Sequence, residues 1–247
     1  MILTIANQKG GCSKTTSTVN IGFALKHKGY KVLFVDLDAQ GNLTSILNAQ
    51  PDKTVLEVLL GEATLKEAIL STDGVDLLAS DNLLYNVESK LEGAGKEHRL
   101  KEALENHGYD FVLIDTPPSM NLLSINALVA TDKVMIPLLG DVLSLEGLTQ
   151  LSENVEGIKK YYNPNLDVLG LFFTNFKERT NIAKTITEFA ESATNQLNTR
   201  LFKSKIRECV KVKESQLLKQ DLFTYAPKSN ASEDYINLTN EILEVVS

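Results

Sequence analysis

Short apolar segments alternate with helix-like segments along most of this 247-residue chain. The apolar segments are rich in β-branched residues and almost unbroken, which is typical of strands buried on both faces of a parallel sheet. Six strands are predicted: Ile2–Ala6, Lys31–Asp36, Val75–Leu78, Phe111–Asp115, Lys133–Pro137 and Val168–Thr174. Apolar residues at helical spacing predict six helices: Lys14–Lys28, Glu97–Asn106, Asn121–Ala130, Ser144–Tyr161, Asn181–Leu197 and Ser232–Val245. The alternation predicts one α/β domain over residues 1–247, with a doubly wound, mostly parallel sheet and helices on both faces.

The connection between the first predicted strand and the first predicted helix combines glycines with lysines. Residues 7–16 read N-Q-K-G-G-C-S-K-T-T. Glycines allow successive backbone amides to point at phosphate oxygens, and the N-terminus of the following helix adds a favourable dipole. In such a loop we expect Lys14 to reach the β- and γ-phosphates and the Thr15 hydroxyl to bind Mg²⁺. The segment therefore predicts a site for nucleotide phosphates and a magnesium ion.

Two further predicted strands end in aspartates. The second strand ends at Asp36 and is followed by Asp38, and alternation along an extended chain places these two carboxylates on the same side. Two carboxylates so close repel each other unless a cation or a polarised water lies between them. The strand Phe111–Asp115 is an apolar run that ends in an acid, as in the Walker B motif, and we expect Asp115 to hold Mg²⁺ through a water. Ligands in sheets of this type lie at the carboxyl ends of the strands, where these motifs fall.

The order of these motifs resembles that of the ParA/MinD branch of the P-loop ATPases. The usual pattern G-x-x-x-x-G-K-[ST] is not met, because Gln8 and Ser13 stand where it has glycine. The form of the branch, K-G-G-x-x-K-[ST], fits and adds a second lysine, Lys9. The opening Asn-Gln-Lys-Gly-Gly is most similar to the ParA/Soj partition proteins. Most members have glycine in place of Ser13, so we expect a β-carbon there to crowd the loop and to alter nucleotide affinity or turnover.

The resemblance implies an ATPase that uses ATP and Mg²⁺ and forms an ATP-dependent homodimer. Lys9 is expected to reach across a two-fold interface to the nucleotide of the partner. Lys9, Lys14 and Asp38 are then the catalytic residues, with Asp38 orienting the attacking water, while Asp36 supports the magnesium shell. Two roles remain open for Asn175: contact with the adenine ring, or an ordinary asparagine in the turn after a strand. The residues expected to contact the nucleotide are Lys9, Gly10, Gly11, Cys12, Ser13, Lys14, Thr15, Thr16 and Asn175.

Basic residues are concentrated in residues 200–228. This segment has eight basic and three acidic residues, so it carries +5 in a protein of net charge −7, and the remainder carries −12. Such asymmetry indicates a local phosphate-binding face whose affinity falls as salt rises, although a solvated lysine-rich surface is the alternative. No helix-turn-helix or zinc finger pattern occurs, so we expect contacts with the DNA backbone and no base readout. Four DNA contacts are expected, Arg207, Lys211, Lys213 and Lys228, and the resemblance to ParA covers the stretches that contain the three lysines.

The resemblance also implies a role in DNA segregation, with ATP hydrolysis stimulated by a ParB-like adaptor. Two alternatives remain open: a MinD-like ATPase at the membrane, and a ParA-like ATPase that positions a protein cargo. Membrane binding of the MinD kind needs a basic amphipathic C-terminal helix, but Ser232–Ser247 has four acidic residues and no lysine or arginine. The N-terminus lacks the basic region of a signal peptide, and no apolar run approaches the roughly 20 residues of a spanning helix. We therefore expect a cytoplasmic, nucleoid-associated protein without a membrane partner.

Overall fold

One seven-stranded sheet lies at the centre of the protein in a computed structural model that describes residues 1–72, 74–141, 143–177 and 181–246. The order of the strands across the sheet is β3-β4-β2-β5-β1-β6-β7. Neighbouring strands are parallel except β3 and β4, which are antiparallel at one edge. The strands are β1 (Ile2–Ile5), β2 (Val32–Asp36), β3 (Ile69–Thr72), β4 (Val75–Leu78), β5 (Phe111–Asp115), β6 (Lys133–Leu139) and β7 (Asp167–Thr174).

Helices cover both faces of this sheet. Within the described residues, the α-helices are α1 (Lys14–His27), α2 (Asn42–Ile46), α3 (Val55–Leu60), α4 (Leu65–Ala68), α5 (Val87–Lys90), α6 (Arg99–Ala103), α7 (Leu122–Ala130), α8 (Leu143–Tyr161), α9 (Asn181–Gln196), α10 (Val210–Leu217), α11 (Leu222–Tyr225) and α12 (Asn230–Val246). In α1 through α12, as far as they are described, there is no stretch with both the length and the apolar character of a membrane span.

Strand residues alternate between two apolar layers, one on each face of the sheet. Ile5 of β1 and Phe34 of β2 pack with α1, α2 and α12 on one face. Val35 of β2 packs with α3, α6 and α7 on the opposite face. The separation between α1 and the sheet is set by Gly22, where a β-carbon would come within 2.2 Å of the Phe34 ring. This close approach fixes the N-terminus of α1 beside the carboxyl ends of the central strands.

The predicted fold class is confirmed, and each predicted strand and helix corresponds to an observed element. The sequence pattern does not predict β3, because Ile69–Thr72 is half polar and only partly buried at the edge of the sheet. The helix predicted over Glu97–Asn106 is shorter, a 3-10 turn followed by α6. The unpredicted helices have four to eight residues, too few to show a periodic apolar face. Two of them nevertheless begin with a T-x-x-E capping box, at Thr54 and Thr64.

Candidate nucleotide-binding site

Three neighbouring strands in the middle of the sheet bring the predicted motifs together. β5 lies between β1 and β2, and Asp115 is in register with Ile5 on one side and with Asp36 on the other. The carboxyl ends of these parallel strands therefore lie at one edge of the sheet, where the loop after β1 leads into α1. The sequence predicts this juxtaposition for a phosphate and magnesium site.

The backbone of the loop after β1 turns at two left-handed positions. Gly11 has φ 74° and Ser13 has φ 66°. A β-carbon at Gly11 would meet no atom within 4 Å, so glycine is needed there for the backbone conformation and not for space. Asn7 holds the start of the loop, because its Oδ1 accepts from the Lys9 amide at 2.9 Å and its Nδ2 donates to the Pro137 carbonyl at 2.8 Å. Turns of this kind orient successive amides into a concave site for anions.

Cys12 is buried beneath the loop. Its Sγ donates to the Lys9 carbonyl at 3.1 Å, and its own carbonyl accepts from the Thr174 hydroxyl at 3.4 Å. Burial raises the pKa of the thiol, so Cys12 is a neutral packing group. Its side chain therefore stabilises the loop, and a contribution to nucleotide binding would come from its backbone.

Thr15 and Asp115 are in direct contact. The Thr15 hydroxyl donates to Asp115 Oδ2 at 2.6 Å, while Asp115 Oδ1 is buried and has no hydrogen-bond partner in the described part of the chain. Burial, together with the charge of Asp36, raises the pKa of Asp115 well above its usual value. An unpartnered buried oxygen costs free energy, and a divalent cation or its bound water would satisfy it. Mg²⁺ prefers oxygen ligands of this kind, so the residues present fit the ion.

Asp36 and Asp38 have different surroundings although they are two residues apart. Asp36 is fully buried, and its Oδ2 accepts from the amide and the hydroxyl of Thr44 at 2.9 and 2.8 Å. Its Oδ1 accepts from the amide of Asp38 at 3.1 Å. Burial raises the pKa of Asp36 to about 6, although the hydrogen bonds from Thr44 oppose the shift. With both oxygens engaged, Asp36 holds the loop that carries Asp38 and does not itself line the cleft.

Asp38 faces the open space of the site. Its side chain lines the cleft, and its Oδ1 accepts from the Gln40 amide at 3.0 Å. Its carbonyl accepts from the Ser80 hydroxyl at 2.8 Å, which ties the loop after β2 to the end of β4. The position of the Asp38 carboxylate is therefore set by contacts from two strand ends.

The two loop lysines point in different directions. Lys14 is buried, lines the cleft, and donates from its ammonium to the Lys9 carbonyl at 3.4 Å. The ammonium of Lys9 donates to both carboxylate oxygens of Asp141 at 2.7 and 2.8 Å. Lys14 thus covers its own loop, whereas Lys9 extends to the segment after β6.

A cleft of about 1200 Å³ opens above these groups. Its volume exceeds the range of about 300–1,000 Å³ that is typical of small-molecule sites, which leaves room for a nucleoside triphosphate. Asn175, after β7, has φ 50° and donates to Ser13 Oγ at 3.4 Å. On the far wall, Gln216 of α10 donates from Nε2 to the Thr16 hydroxyl at 3.1 Å. The cleft therefore lies between the loop after β1 and α10.

Three of the four residues predicted to contact DNA are exposed, and two of them lie on α10. Lys211 and Lys213 are exposed on α10, and Lys228 is exposed just before α12. Lys213 also lines the edge of the cleft. Lys211 donates to Glu214 at 2.8 Å, an exposed pair that exchanges readily in water.

Arg207 differs from these lysines. Its Nε and Nη2 donate to the Asp234 carboxylate at 2.9 and 2.6 Å, and its amide donates to the same group at 2.9 Å. The hydrogen bonds that Arg207 donates to Asp234 raise the pKa of its guanidinium above its already high value. The guanidinium therefore ties residues before α10 to α12, and we remove Arg207 from the set of proposed DNA contacts.

The site includes four contacts that no sequence motif reveals. Thr44 engages Asp36, Ser80 holds the loop after β2, Asp141 pairs with Lys9, and Gln216 reaches the start of α1. Only the serine has a sequence signal, because Ser80 follows β4 and so lies at the ligand-binding edge of the sheet. Asp141 and Gln216 depend on packing between distant segments, whereas Thr44 lies only eight residues after Asp36 in a turn without a motif.

The fold, the loop with its buried lysine and the two aspartate-ended strands define a P-loop ATPase. Residues 1–168 match a protein-family model described as an AAA domain. The chromosome partitioning protein ParA of Caulobacter vibrioides is 35% identical over 252 residues, which cover 98% of this chain and 93% of that protein. The sporulation initiation inhibitor protein Soj of Bacillus subtilis is 35% identical over 249 residues, covering 98% and 97%. The chain belongs to the ParA/Soj family of partition ATPases.

A solved structure agrees with this assignment at the level of the fold. Cobyrinic acid a,c-diamide synthase from Mycobacterium smegmatis, solved with a bound ATP analog and magnesium, superposes with a TM-score of 0.85 and 32% sequence identity. The match covers 98% of this chain and 94% of that chain.

Proposed function

We propose that this protein is a DNA-partition ATPase whose ATP-bound dimer holds duplex DNA non-specifically until a ParB-like adaptor stimulates hydrolysis. The observation that carries the proposal is the contact between Thr15 and Asp115 beside the buried Lys14. It brings the Lys14 ammonium, the Thr15 hydroxyl and an Asp115 oxygen without a hydrogen-bond partner in the described part of the chain to the N-terminus of α1, which supports a site for phosphate and Mg²⁺. The partition names of full-length relatives support the biological role.

The phosphates of ATP would be held by the backbone of Gly10–Thr16 and by the Lys14 ammonium. Thr15 and Asp115 would support Mg²⁺, which supplies neutralisation of charge on the phosphates when it is bound. Asp38 would orient the attacking water, since its carboxylate lines the cleft and is fixed by backbone contacts. Asn175 would contact the adenine ring.

Calorimetry with Mg·ATP tests the nucleotide site. We expect Lys14→Ala to lose binding and Asp38→Ala to retain binding but lose turnover. Loss of binding with an unchanged melting temperature would identify Lys14 as a ligand and not as a packing residue. Turnover at the normal rate in Asp38→Ala would contradict the role assigned to this carboxylate.

The ATP-dependent dimer would use Lys9. Its ammonium is paired with Asp141 of the same chain, so a contact with the nucleotide of a partner requires this ion pair to exchange for phosphate oxygens. Both side chains are partly exposed, so the exchange is inexpensive. We expect Lys9→Ala to bind ATP and to remain a monomer when light scattering is measured with ATP.

Lys133→Ala is a matched control for this variant. It also removes a lysine that donates to an aspartate at 2.7 Å, in this case Asp167. Lys133 lies at the start of β6, at the opposite edge of the sheet from the cleft. Dimerisation by Lys9→Ala, or its loss in Lys133→Ala, would argue against a specific cross-dimer role for Lys9.

Lys211, Lys213 and Lys228 would contact DNA phosphates. Charge reversal at Lys211 or Lys228 should weaken binding uniformly across sequences and reduce the salt slope by about 1 for each lost contact. The control is Lys101→Glu, because Lys101 is exposed on α6, on the face of the sheet opposite α10. Binding to random-sequence duplex should be measured with ATP over a series of salt concentrations. An equal loss in the control would mean that net charge, and not these positions, determines affinity.

Membrane positioning of the MinD kind is disfavoured by α12. Its apolar residues Tyr235, Leu238 and Ile242 are buried against the sheet, so they are not available to a bilayer. The helix also carries acidic residues and no basic ones. Pelleting with anionic vesicles and ATP would reveal membrane binding.

Positioning of a protein cargo would use the same ATP and DNA chemistry as segregation. The two functions are separated by identification of the adaptor that stimulates hydrolysis.

A further inference from the structure

α10 lies between the two proposed ligands. Lys213 and Gln216, one turn apart, both line the cleft. Lys211 and Lys213 are the proposed DNA contacts on the same helix. A change in the pose of α10 would therefore alter both the nucleotide site and the proposed DNA-binding surface.

α10 buries little surface, although Val212 packs partly against the core and Glu214 accepts from the Tyr225 hydroxyl at 2.8 Å. Ser215 is its one buried residue, whereas Val210 is 63% and Leu217 is 82% exposed. Helices with little buried area open and shift at low free-energy cost, so individual polar contacts determine their position. The hydrogen bond from Gln216 Nε2 to the Thr16 hydroxyl is a direct link from α10 to the end of the phosphate loop.

Thr16 occupies a position that responds to the loop. It follows Thr15, which is bonded to Asp115, and it lies in the first turn of α1. The Thr16 carbonyl also accepts from Asn20 Nδ2 at 2.7 Å, a contact between successive turns of α1. Any adjustment of the loop around phosphates would change the position of the Thr16 hydroxyl relative to α10.

We propose that Gln216 is a positioning residue that couples occupancy of the phosphate loop to the pose of α10, and thereby to its affinity for DNA. The inference rests on the proposed function and adds to it the residue that transmits the signal. Linkage requires the coupling to be reciprocal, so bound DNA should raise nucleotide affinity by the same factor. Loss of one neutral hydrogen bond changes an equilibrium constant by about fivefold, which sets the size of the expected effect.

The experiment compares the wild type with Gln216→Met, which keeps the length of the side chain and removes the donor. The control is Gln220→Met, the same substitution at an exposed position just after α10. DNA affinity is measured with ADP and with a non-hydrolysable ATP analogue, and analogue affinity is measured with and without DNA. We expect the ratio of the two DNA affinities to fall by about fivefold in Gln216→Met, and the gain in analogue affinity on addition of DNA to fall by the same factor. The control should retain the ratio of the wild type.

Several results would overturn the inference. An unchanged ratio in Gln216→Met would show that the hydrogen bond transmits nothing. An equal loss of analogue affinity with and without DNA would show that Gln216 is a direct ligand of the nucleotide. If the wild type binds DNA equally well with ADP and with the analogue, the proposed function itself is refuted. This outcome differs from failure of the inference because it is seen in the wild type and not only in Gln216→Met.

A measurement on the wild type keeps the inference testable if Gln216→Met does not fold. Amide hydrogen exchange over Val210–Leu217 should slow when the ATP analogue is added without DNA. If the analogue does not change the rate of amide hydrogen exchange in α10, the proposed coupling is overturned. A general slowing that includes α6 equally would also count against it, because α6 lies on the opposite face of the sheet.

Discussion

Replacement of Ser13 by glycine should make the protein more stable. Ser13 has φ 66° and ψ 28°, in the left-handed region that favours glycine. This conformation costs an L-residue about 1–2 kcal/mol. Glycine avoids that cost but loses about 0.5–1 kcal/mol through the greater freedom of the unfolded chain. The hydrogen bond that Ser13 Oγ accepts from Asn175 is long, at 3.4 Å, so its loss subtracts little.

The expected net gain for Ser13→Gly is about 0.5–1 kcal/mol in the free energy of unfolding, equivalent to a rise of about 1–3 °C in Tm for a chain of this size. Thermal unfolding without nucleotide measures it, with calorimetric titration of Mg·ATP on the same samples. Because the substitution also removes a β-carbon from the cleft wall, nucleotide affinity should be retained or increased.

Gly11→Ala provides the matched control. Gly11 has a similar φ of 74°, and a β-carbon there would meet nothing within 4 Å. The effect of Gly11→Ala is therefore conformational and should be a loss of about 1 kcal/mol. If Gly11→Ala is destabilised as expected but Ser13→Gly is unchanged or less stable, then the left-handed serine is not strained and the reasoning is refuted.

Three further outcomes are expected. Gly22→Ala should lose about 1–3 kcal/mol of stability in chemical denaturation, because its β-carbon would come within 2.2 Å of the Phe34 ring; a stabilised variant would contradict the close packing of α1. In magnesium-free buffer Asp36 should contribute a loss of stability as pH rises from about 4 to 6.5, because burial raises the folded-state pKa of Asp36 from 3.8 to about 6 and the ionised form is disfavoured in the fold. The loss is at most about 3 kcal/mol; denaturation curves across this range should be flatter for Asp36→Asn, and parallel curves would refute the assignment. Arg207→Lys should lose about 1 kcal/mol of stability because the forked contact with Asp234 is lost. Its salt slope for DNA should stay the same, and a slope reduced by about 1 would restore Arg207 as a phosphate contact.

The sequence predicts which residues meet at the centre of the candidate site, because most of them lie in one short segment. Phosphate binding requires glycines, Lys14 and Thr15 within one short turn, so the residue types and their spacing identify the loop. The strand that ends in Asp115 is likewise visible as an apolar run with a terminal acid. The fold class follows from the same strands, since their nearly continuous apolar character indicates burial on both faces.

The remaining contacts could not be predicted because they join segments that are far apart in the chain. Lys9 and Asp141 are separated by 132 residues, and Thr16 and Gln216 by 200. No pairing rule selects such partners before the topology is known. Arg207 shows the same limit, because a basic segment looks uniform in sequence while Asp234 of α12 engages one of its members.

The contact of Gly22 with Phe34 has a mechanical consequence for the cleft. α1 and β2 are in close contact at this point, which limits how far α1 can shift against the strand that ends in Asp36. The wall of the cleft formed by these two elements is therefore more constrained than α10. Closure of the cleft around a ligand would then come mainly from movement of the opposite wall, α10, because α10 has little buried surface to hold it in place.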